Sequence, residues 1–440
     1  MSAPARYHAE YAWLGGPTPV RDVLIEVTGG TIAEVRPGVP CGTATRLTGL
    51  TVPGLANAHS HAFHRALRGR THGGRGTFWT WRESMYAVAD RLNPDSYHRL
   101  ARAVYGEMAL AGITAVGEFH YLHHAPGGTR YADPNAMSDA LVAAAAEAGI
   151  RITLLDTLYL TSTVDGEPLR GTQLRFGDGD LDGWAARASD LRRAPHARRG
   201  AAIHSVRAVP GEVIGGFISA AEGLPVHVHL SEQRAENEAC LARYGLSPTG
   251  LLHSYGALGP GTTAVHATHL SDEDLALLGG TGTAACLCPT TERDLADGIG
   301  SARALADAGS PLCLGSDSHA VVDLFEEARA LEMDERLRTE RRGHFSPDEL
   351  LGAATAAGHR SIGWPDAGVL APGQRADLVT VDLDSVRTAG AEPLAAAVLA
   401  ATAADVTHVV VDGRPVVRDG RHATLDVARE LRTAIEAVTA

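Results

Sequence analysis

Eight apolar, strand-like runs recur along the middle of the chain, each separated from the next by a stretch with helical spacing. They limit the possible folds more than anything else in the sequence. In order they are LTVPGLANAHSH, TAVGEFHYLHH, RITLLDTLYL, AAIHSVRAV, LPVHVHLSEQ, TAVHATHL, TAACLCP and LCLGSDSH. Amphipathic candidates between them include 94–111, 135–148, 210–221 and 271–278. Buried strands joined through helices make a parallel sheet, which is either a closed (β/α)8 barrel or an open doubly wound sheet. Polar residues gather at the C-terminal ends of the runs, where barrel enzymes build their sites. The expected fold is therefore α/β, a (β/α)8 TIM barrel.

Both chain ends read as short strands and tight turns. VRDVLIEVTGGTIAEVRPG carries a hairpin signal at Gly29-Gly30, and THVVVDGRPVVRDG carries one at Asp412-Gly413. Together with ADLVTVDLD, they predict one small β-sandwich domain built from both ends. The expected divisions are 1–54 for its N-terminal part, 55–365 for the barrel, and 366–440 for its C-terminal part and a terminal helix.

Composition removes several chemistries. No lysine occurs, and all 39 basic residues are arginine. That excludes a Schiff-base lysine, a Walker-type phosphate loop and a carbamylated lysine bridging two metals. The 21 histidines point instead to imidazole as ligand and proton carrier. A net charge of −13 argues against nucleic acid or an anionic membrane surface as partner. An anionic small molecule would need a local arginine pocket. No apolar run is long enough for a secretion signal or a membrane span. Five cysteines without framework spacing suggest reduced thiols and a cytoplasmic setting. Cys286 and Cys288 read as packing of the seventh strand.

The chemistry concentrates in a few positions. His59 and His61 close the first run as H-S-H, and residues i and i+2 of a strand face one side. His229 ends the fifth run with Glu232 three residues on, His266 ends the sixth, and Asp317 ends the eighth. Three imidazoles and a carboxylate from separate strand ends are a plausible N/O ligand set for one divalent ion.

That order, H-x-H, then H-x-x-E, then H, then S-D, resembles the amidohydrolase superfamily and its one-metal deaminases. GVLAPGQRADLVTVDLD looks like the strand motif that returns such chains to the β-domain. The resemblance implies that His59, His61, His229 and Asp317 hold one Zn2+ per chain, with iron sharing the ligand set. It further implies acid–base work by Glu232, His266 and Asp317: Asp317 takes the proton of the attacking water, His266 stabilises the tetrahedral species, and Glu232 protonates the leaving nitrogen. PGLANAHSHAFHRAL, FWTWRE, TAVGEFHYLHH, AIHSVRAV, HVHLSEQ and AVHATH narrow the likeness to the formimidoylglutamate deiminases. These convert N-formimino-L-glutamate to N-formyl-L-glutamate and ammonia in histidine degradation. Arg82, Tyr121, His204 and Arg207 resemble that family's carboxylate-binding residues, with His64 expected as a fifth substrate contact, and arginine suits bidentate capture of carboxylates. Some members carry glutamine where this chain has His64, which would make that contact pH-dependent. Contacts in the loop Pro289-Thr290-Thr291-Glu292-Arg293 are left outside the expected site. A cytoplasmic homodimer is expected. The rivals are another one-metal deaminase, acting on a guanine- or adenine-type ring or another N-formimino acid, and a non-catalytic barrel serving as an interaction partner.

Overall fold

A computed structural model of the protein describes residues 5–71, 78–192 and 194–439, and the side chains of Phe78 and Trp79 are outside that description. The N-terminal strands are β1 (Ala5–Ala12), β2 (Val20–Thr28), β3 (Thr31–Arg36) and β4 (Thr45–Pro53). The middle of the chain then lays down β5 (Leu55–Ser60), β6 (Ile113–His120), β7 (Arg151–Leu158) and β8 (Ala197–Ile203). It continues with β9 (Val226–Leu230), β10 (Thr262–His266), β11 (Ala284–Leu287) and β12 (Leu312–Leu314). β13 (Leu378–Val381), β14 (Val406–Val411), β15 (Arg414–Arg418) and β16 (Arg421–His422) follow near the C-terminus.

Strands β5 to β12 pair in chain order, each parallel to the next, with helices on the connections. This is the barrel the periodicity predicts. Its helices start and stop where the sequence signals say: Asn93 and Ser96 form a capping box ahead of Pro94–Leu110, and Gly149 ends Ala136–Ala148 in the left-handed conformation. The seam between β12 and β5 closes by a parallel bridge between Ser60 and Asp317. The Asn57 side chain reinforces it, accepting from the Ser316 N–H (2.9 Å) and donating to Ser316 Oγ (2.7 Å).

The chain ends form one continuous sheet, in the order β16-β15-β14-β13-β4-β1-β2-β3. The sheet curls on itself: Thr31 bridges Arg375, and the Ile32 N–H donates to the Gln374 carbonyl (2.8 Å). Ala9, Val23, Ile25, Leu47, Leu378 and Val410 fill the interior of this curl. The sandwich expected from both ends is thus made from one hydrogen-bonded sheet.

One reading by periodicity alone needs refinement. LTVPGLANAHSH is two strands, β4 in the curled sheet and β5 in the barrel, separated at Gly54. A Cβ on Gly54 would fall 2.2 Å from Thr114 Oγ1 and 2.8 Å from the Asp377 Cβ, so the two units meet too closely there for any side chain. Arg151 at the base of β7 ties the same junction, donating to both oxygens of buried Asp377 and stacking on Trp364. The terminal helix Val427–Thr439 lies on Pro94–Leu110 through buried Val427, Leu431 and Val438, with an Arg102–Glu430 pair (2.6 Å) at its edge. No helix among the described residues is long and apolar enough to cross a membrane.

Candidate active site

The C-terminal ends of the barrel strands bring His59, His61, His229 and Asp317 together, with one ligand atom from each inside a span of 4.8 Å. The second nitrogens of two of these histidines fix the rings. His61 Nδ1 faces the Phe119 carbonyl (2.9 Å), and His229 Nδ1 faces the His204 carbonyl (2.9 Å). Each Nδ1 therefore carries its proton, and each Nε2 turns a lone pair inward. His229 Nε2 stands 3.1 Å from His59 Nε2, and Asp317 Oδ1 is 3.3 Å from both His59 Nε2 and His61 Nε2. Burial keeps the imidazoles neutral: it lowers His61, pushes His229 well below its usual range and takes His59 to about 3. Burial alone would raise Asp317, but its hydrogen bond with His59 and the charge of His266 hold it well below the carboxylate range. Three neutral imidazole nitrogens and an ionised carboxylate fit a divalent zinc or iron ion. His227, two residues before His229, bonds the Ser361 carbonyl (3.1 Å) and stays out of this set.

A second layer of carboxylates surrounds His266. Its Nε2 lies 3.9 Å from Glu232 Oε1 and 3.8 Å from Asp317 Oδ2, while its Nδ1 lies 3.5 Å from Glu292 Oε1. Burial would lower its proton affinity, but Glu232, Glu292 and Asp317 together raise it to about 10. His266 is thus an imidazolium held among three acids. Glu232 is raised chiefly by burial, against the opposing charges of His266 and Arg207.

The backbone at these strand ends is sharply turned. Ser231, His266, Ala267 and Asp317 have φ of 51°, 68°, 50° and 39°, in a region that side chains other than glycine seldom occupy. Specific bonds hold each turn: the Ser231 N–H donates to Glu236 Oε1 (3.0 Å), the Ala267 N–H to the Leu230 carbonyl (3.0 Å), and the Asp317 N–H to the His59 carbonyl (3.0 Å).

Above the cluster opens a pocket of about 550 Å³. All five residues singled out from the sequence as substrate contacts line it, and so do His61, His229, Glu232, His266 and Asp317. Arg82 faces the pocket of its own chain and lies over Tyr86 (5.5 Å). Arg207 Nε donates to Glu236 Oε2 (2.8 Å), and its Nη2 is 3.8 Å from Glu232 Oε2. His64 Nε2 and the Tyr121 hydroxyl share a hydrogen bond (3.0 Å), and His204 packs on Tyr159 (ring centroids 4.4 Å). Burial holds His64 neutral, well below its usual range.

Three buried acids were missed from the sequence. Glu292 belongs to the loop left outside the expected site, yet it is the partner of His266 and accepts from the Cys288 N–H (2.9 Å). Glu236 anchors both Arg207 and the Ser231 turn. Its spacing, four residues beyond Glu232 at a helix start, was the available signal. Glu118 on β6 accepts from Ser60 Oγ (2.7 Å) and the Ala62 N–H (2.7 Å), holding the H-S-H turn, and burial pushes it up to about 8. Cys286 and Cys288 are packed in the core as expected.

Comparison with known proteins agrees with this geometry. A sequence model of the amidohydrolase family matches residues 50–416. A formimidoylglutamate deiminase of Pseudomonas aeruginosa is 39% identical over 421 residues, covering 92% of both chains. An 8-oxoguanine deaminase of the same organism is 31% identical over 418 residues, covering 92% of this chain and 90% of its own. Among solved structures, an amidohydrolase from Brucella melitensis superposes with a TM-score of 0.92 at 33% identity, covering 99% of this chain and all of its own.

Proposed function

The chain belongs to the amidohydrolase family, and from that premise we propose that it hydrolyses N-formimino-L-glutamate to N-formyl-L-glutamate and ammonia. One observation carries this reading: Arg82 and Arg207 share a single pocket with the ligand cluster and the Glu232–His266 pair. An acyclic amidine with two carboxylates needs that combination, because a chain of net charge −13 attracts an anion only through local cations.

A zinc ion held by His59, His61, His229 and Asp317, or iron on the same donors, supplies Lewis acidity and water activation near neutral pH. The chain's own groups do the rest. Asp317 accepts the proton of the attacking water. The His266 imidazolium, 3.8 Å from Asp317 Oδ2, stabilises negative charge developing on the tetrahedral carbon's oxygen. Glu232, between His266 and Arg207, delivers a proton to the departing nitrogen, since an amide anion is too poor a leaving group. Arg207 and Arg82 bind the carboxylates, with Tyr121, His64 and His204 completing the wall. We further propose that the protein serves histidine degradation and acts as a cytoplasmic homodimer.

One observation favours a second reading. Trp81, Tyr86, Tyr121, Tyr159 and Phe176 give the pocket aromatic surface on which a purine ring could stack, and a relative acts as an 8-oxoguanine deaminase. No Asn or Gln lines the pocket among the described residues, so the amide contacts that a purine edge calls for are missing. Product analysis tests the proposal: metal-loaded protein should form N-formyl-L-glutamate and ammonia one to one from N-formimino-L-glutamate. Intact substrate after prolonged incubation would reject it.

A further inference from the structure

Tyr159 follows the last residue of β7 and is tied beside the segment that carries His204 and Arg207. The His204 N–H donates to the Leu158 carbonyl (3.2 Å), and the Leu160 and Thr161 N–H groups donate to the Ala208 carbonyl (2.8 and 3.0 Å). Thr161 Oγ1 donates to the Arg207 carbonyl (3.0 Å). The Tyr159 ring packs on His204 (centroids 4.4 Å) and on Phe176 (5.5 Å). It lines the substrate pocket together with His204, Arg82 and Arg207, and the charges of both arginines act on its hydroxyl.

Behind Tyr159, on the short helical turn Gly171–Arg175, is buried Gln173, which does not itself line the pocket. Its amide can stand only one way round. Oε1 accepts from the Arg170 N–H (3.4 Å), and a reversed amide would set its NH2 against that donor. Nε2 therefore donates to the Tyr159 hydroxyl (3.3 Å). A phenol carries a single proton, so a hydroxyl that accepts from Gln173 keeps that proton for another acceptor. Among the described residues no other hydrogen bond forms at this hydroxyl. Burial, and then Tyr86, push the phenol up to about 12 against Arg207, Gln173 and Arg82, so the proton stays in place at neutral pH.

We propose that Tyr159 is a further specificity-determining residue: with Gln173 donating from behind, its hydroxyl donates to a substrate carboxylate bound by Arg207 and Arg82. Two guanidiniums attract any anion, whereas a phenol whose proton points one way selects an oxygen acceptor at one place. A substrate group that brings its own proton there is disfavoured. The inference deepens the proposed function and rests on it, because it needs a substrate that carries a carboxylate.

Steady-state kinetics of Tyr159→Phe, which keeps the ring for His204 and Phe176, test the proposal with two substrates. One is N-formimino-L-glutamate, and the other is n-butylformamidine, which has the amidine and no carboxylate. Loss of the hydroxyl should raise KM for N-formimino-L-glutamate about tenfold or more, and the competitive Ki of N-formyl-L-glutamate likewise, with a far smaller change in kcat. kcat/KM for n-butylformamidine should fall much less. Gln173→Glu presents an acceptor to the hydroxyl and captures its proton. It should raise the same KM and Ki in the wild type and add much less in the Tyr159→Phe background, whereas charge repulsion alone would act equally in both. Unchanged KM and Ki in Tyr159→Phe, an equal loss on both substrates, or an equal effect of Gln173→Glu in both backgrounds overturns the proposal. A wild type that does not turn over N-formimino-L-glutamate would reject the proposed function, and this inference with it.

Discussion

Asp317 meets His59 twice: its N–H donates to the His59 carbonyl at 3.0 Å, and its Oδ1 lies 3.3 Å from His59 Nε2. The first contact closes the barrel seam, and the second gathers the ligand set. Fold closure and metal capture therefore depend on the same two residues, with backbone serving one and side chains the other.

Separating those roles gives the first expectation. Asp317→Asn keeps the seam's backbone bonds and removes the ligand charge. Purified variant should hold far less than one metal per chain by elemental analysis, with an unchanged far-ultraviolet circular dichroism spectrum. The wild type should hold about one ion per chain, and chelation should abolish turnover and lower Tm. Two ions per chain would contradict the one-metal reading.

Glu232→Gln leaves the four ligands in place and removes the proton donor. A loss of about 10²–10⁴-fold in kcat is expected, with metal content unchanged. Near-normal turnover by the metal-loaded variant would remove Glu232 from the mechanism.

Glu292 acts through His266, so it is a positioning residue. Outer partners of this kind typically contribute about 10–100-fold. Glu292→Gln should lower kcat by that order and barely change KM, because Glu292 is on the His266 face turned away from Glu232 and Asp317. An effect on KM alone would contradict this role.

Away from the site, Arg187 joins Asp156 (2.7 Å) and Asp178 (2.8 Å) in a buried network that also includes His124. Burial would raise the Asp178 carboxyl, but His124, His123 and Arg187 depress it far below its unfolded value. A depressed carboxylate stabilises the fold above its unfolded pKa of about 3.9, and that contribution is lost as pH falls toward the folded value. Urea melts of the wild type should therefore weaken steeply below about pH 4. Asp178→Asn should be less stable at pH 7 and show a shallower slope below pH 4. Parallel profiles for the two proteins would show that Asp178 does not carry this dependence.

Much of this was legible in the sequence, for physical reasons. Parallel strands buried on both faces write themselves as apolar runs, and ligands at strand ends follow them at fixed offsets, so the clustering of His59, His61, His229, His266 and Asp317 could be expected. Glu292, Glu236 and Glu118 could not be found that way. Glu292 and Glu236 sit at helix starts, where an acid reads as an ordinary solvated charge, and Glu118 lies inside a strand run as a lone buried acid. Only three-dimensional packing shows that all three are buried against positive charge or backbone donors. LTVPGLANAHSH reads as a single run because β4 and β5 are both apolar, and periodicity cannot tell which sheet a strand joins. The curl of the end sheet was equally unreadable, since it depends on Thr31 meeting Arg375 from the opposite end of the chain.

On the proposed function, Arg207 and Arg82 make the site selective for an acyclic dicarboxylate amidine. The most direct test is kcat/KM for N-formimino-L-glutamate and for 8-oxoguanine, measured on the metal-loaded wild type and on Arg207→Met. The wild type should strongly prefer N-formimino-L-glutamate, and Arg207→Met should lose about 2–5 kcal/mol more transition-state stabilisation on that substrate than on 8-oxoguanine. A wild type that prefers 8-oxoguanine, or an Arg207→Met variant that retains wild-type kcat/KM for N-formimino-L-glutamate, would contradict this role for the two arginines.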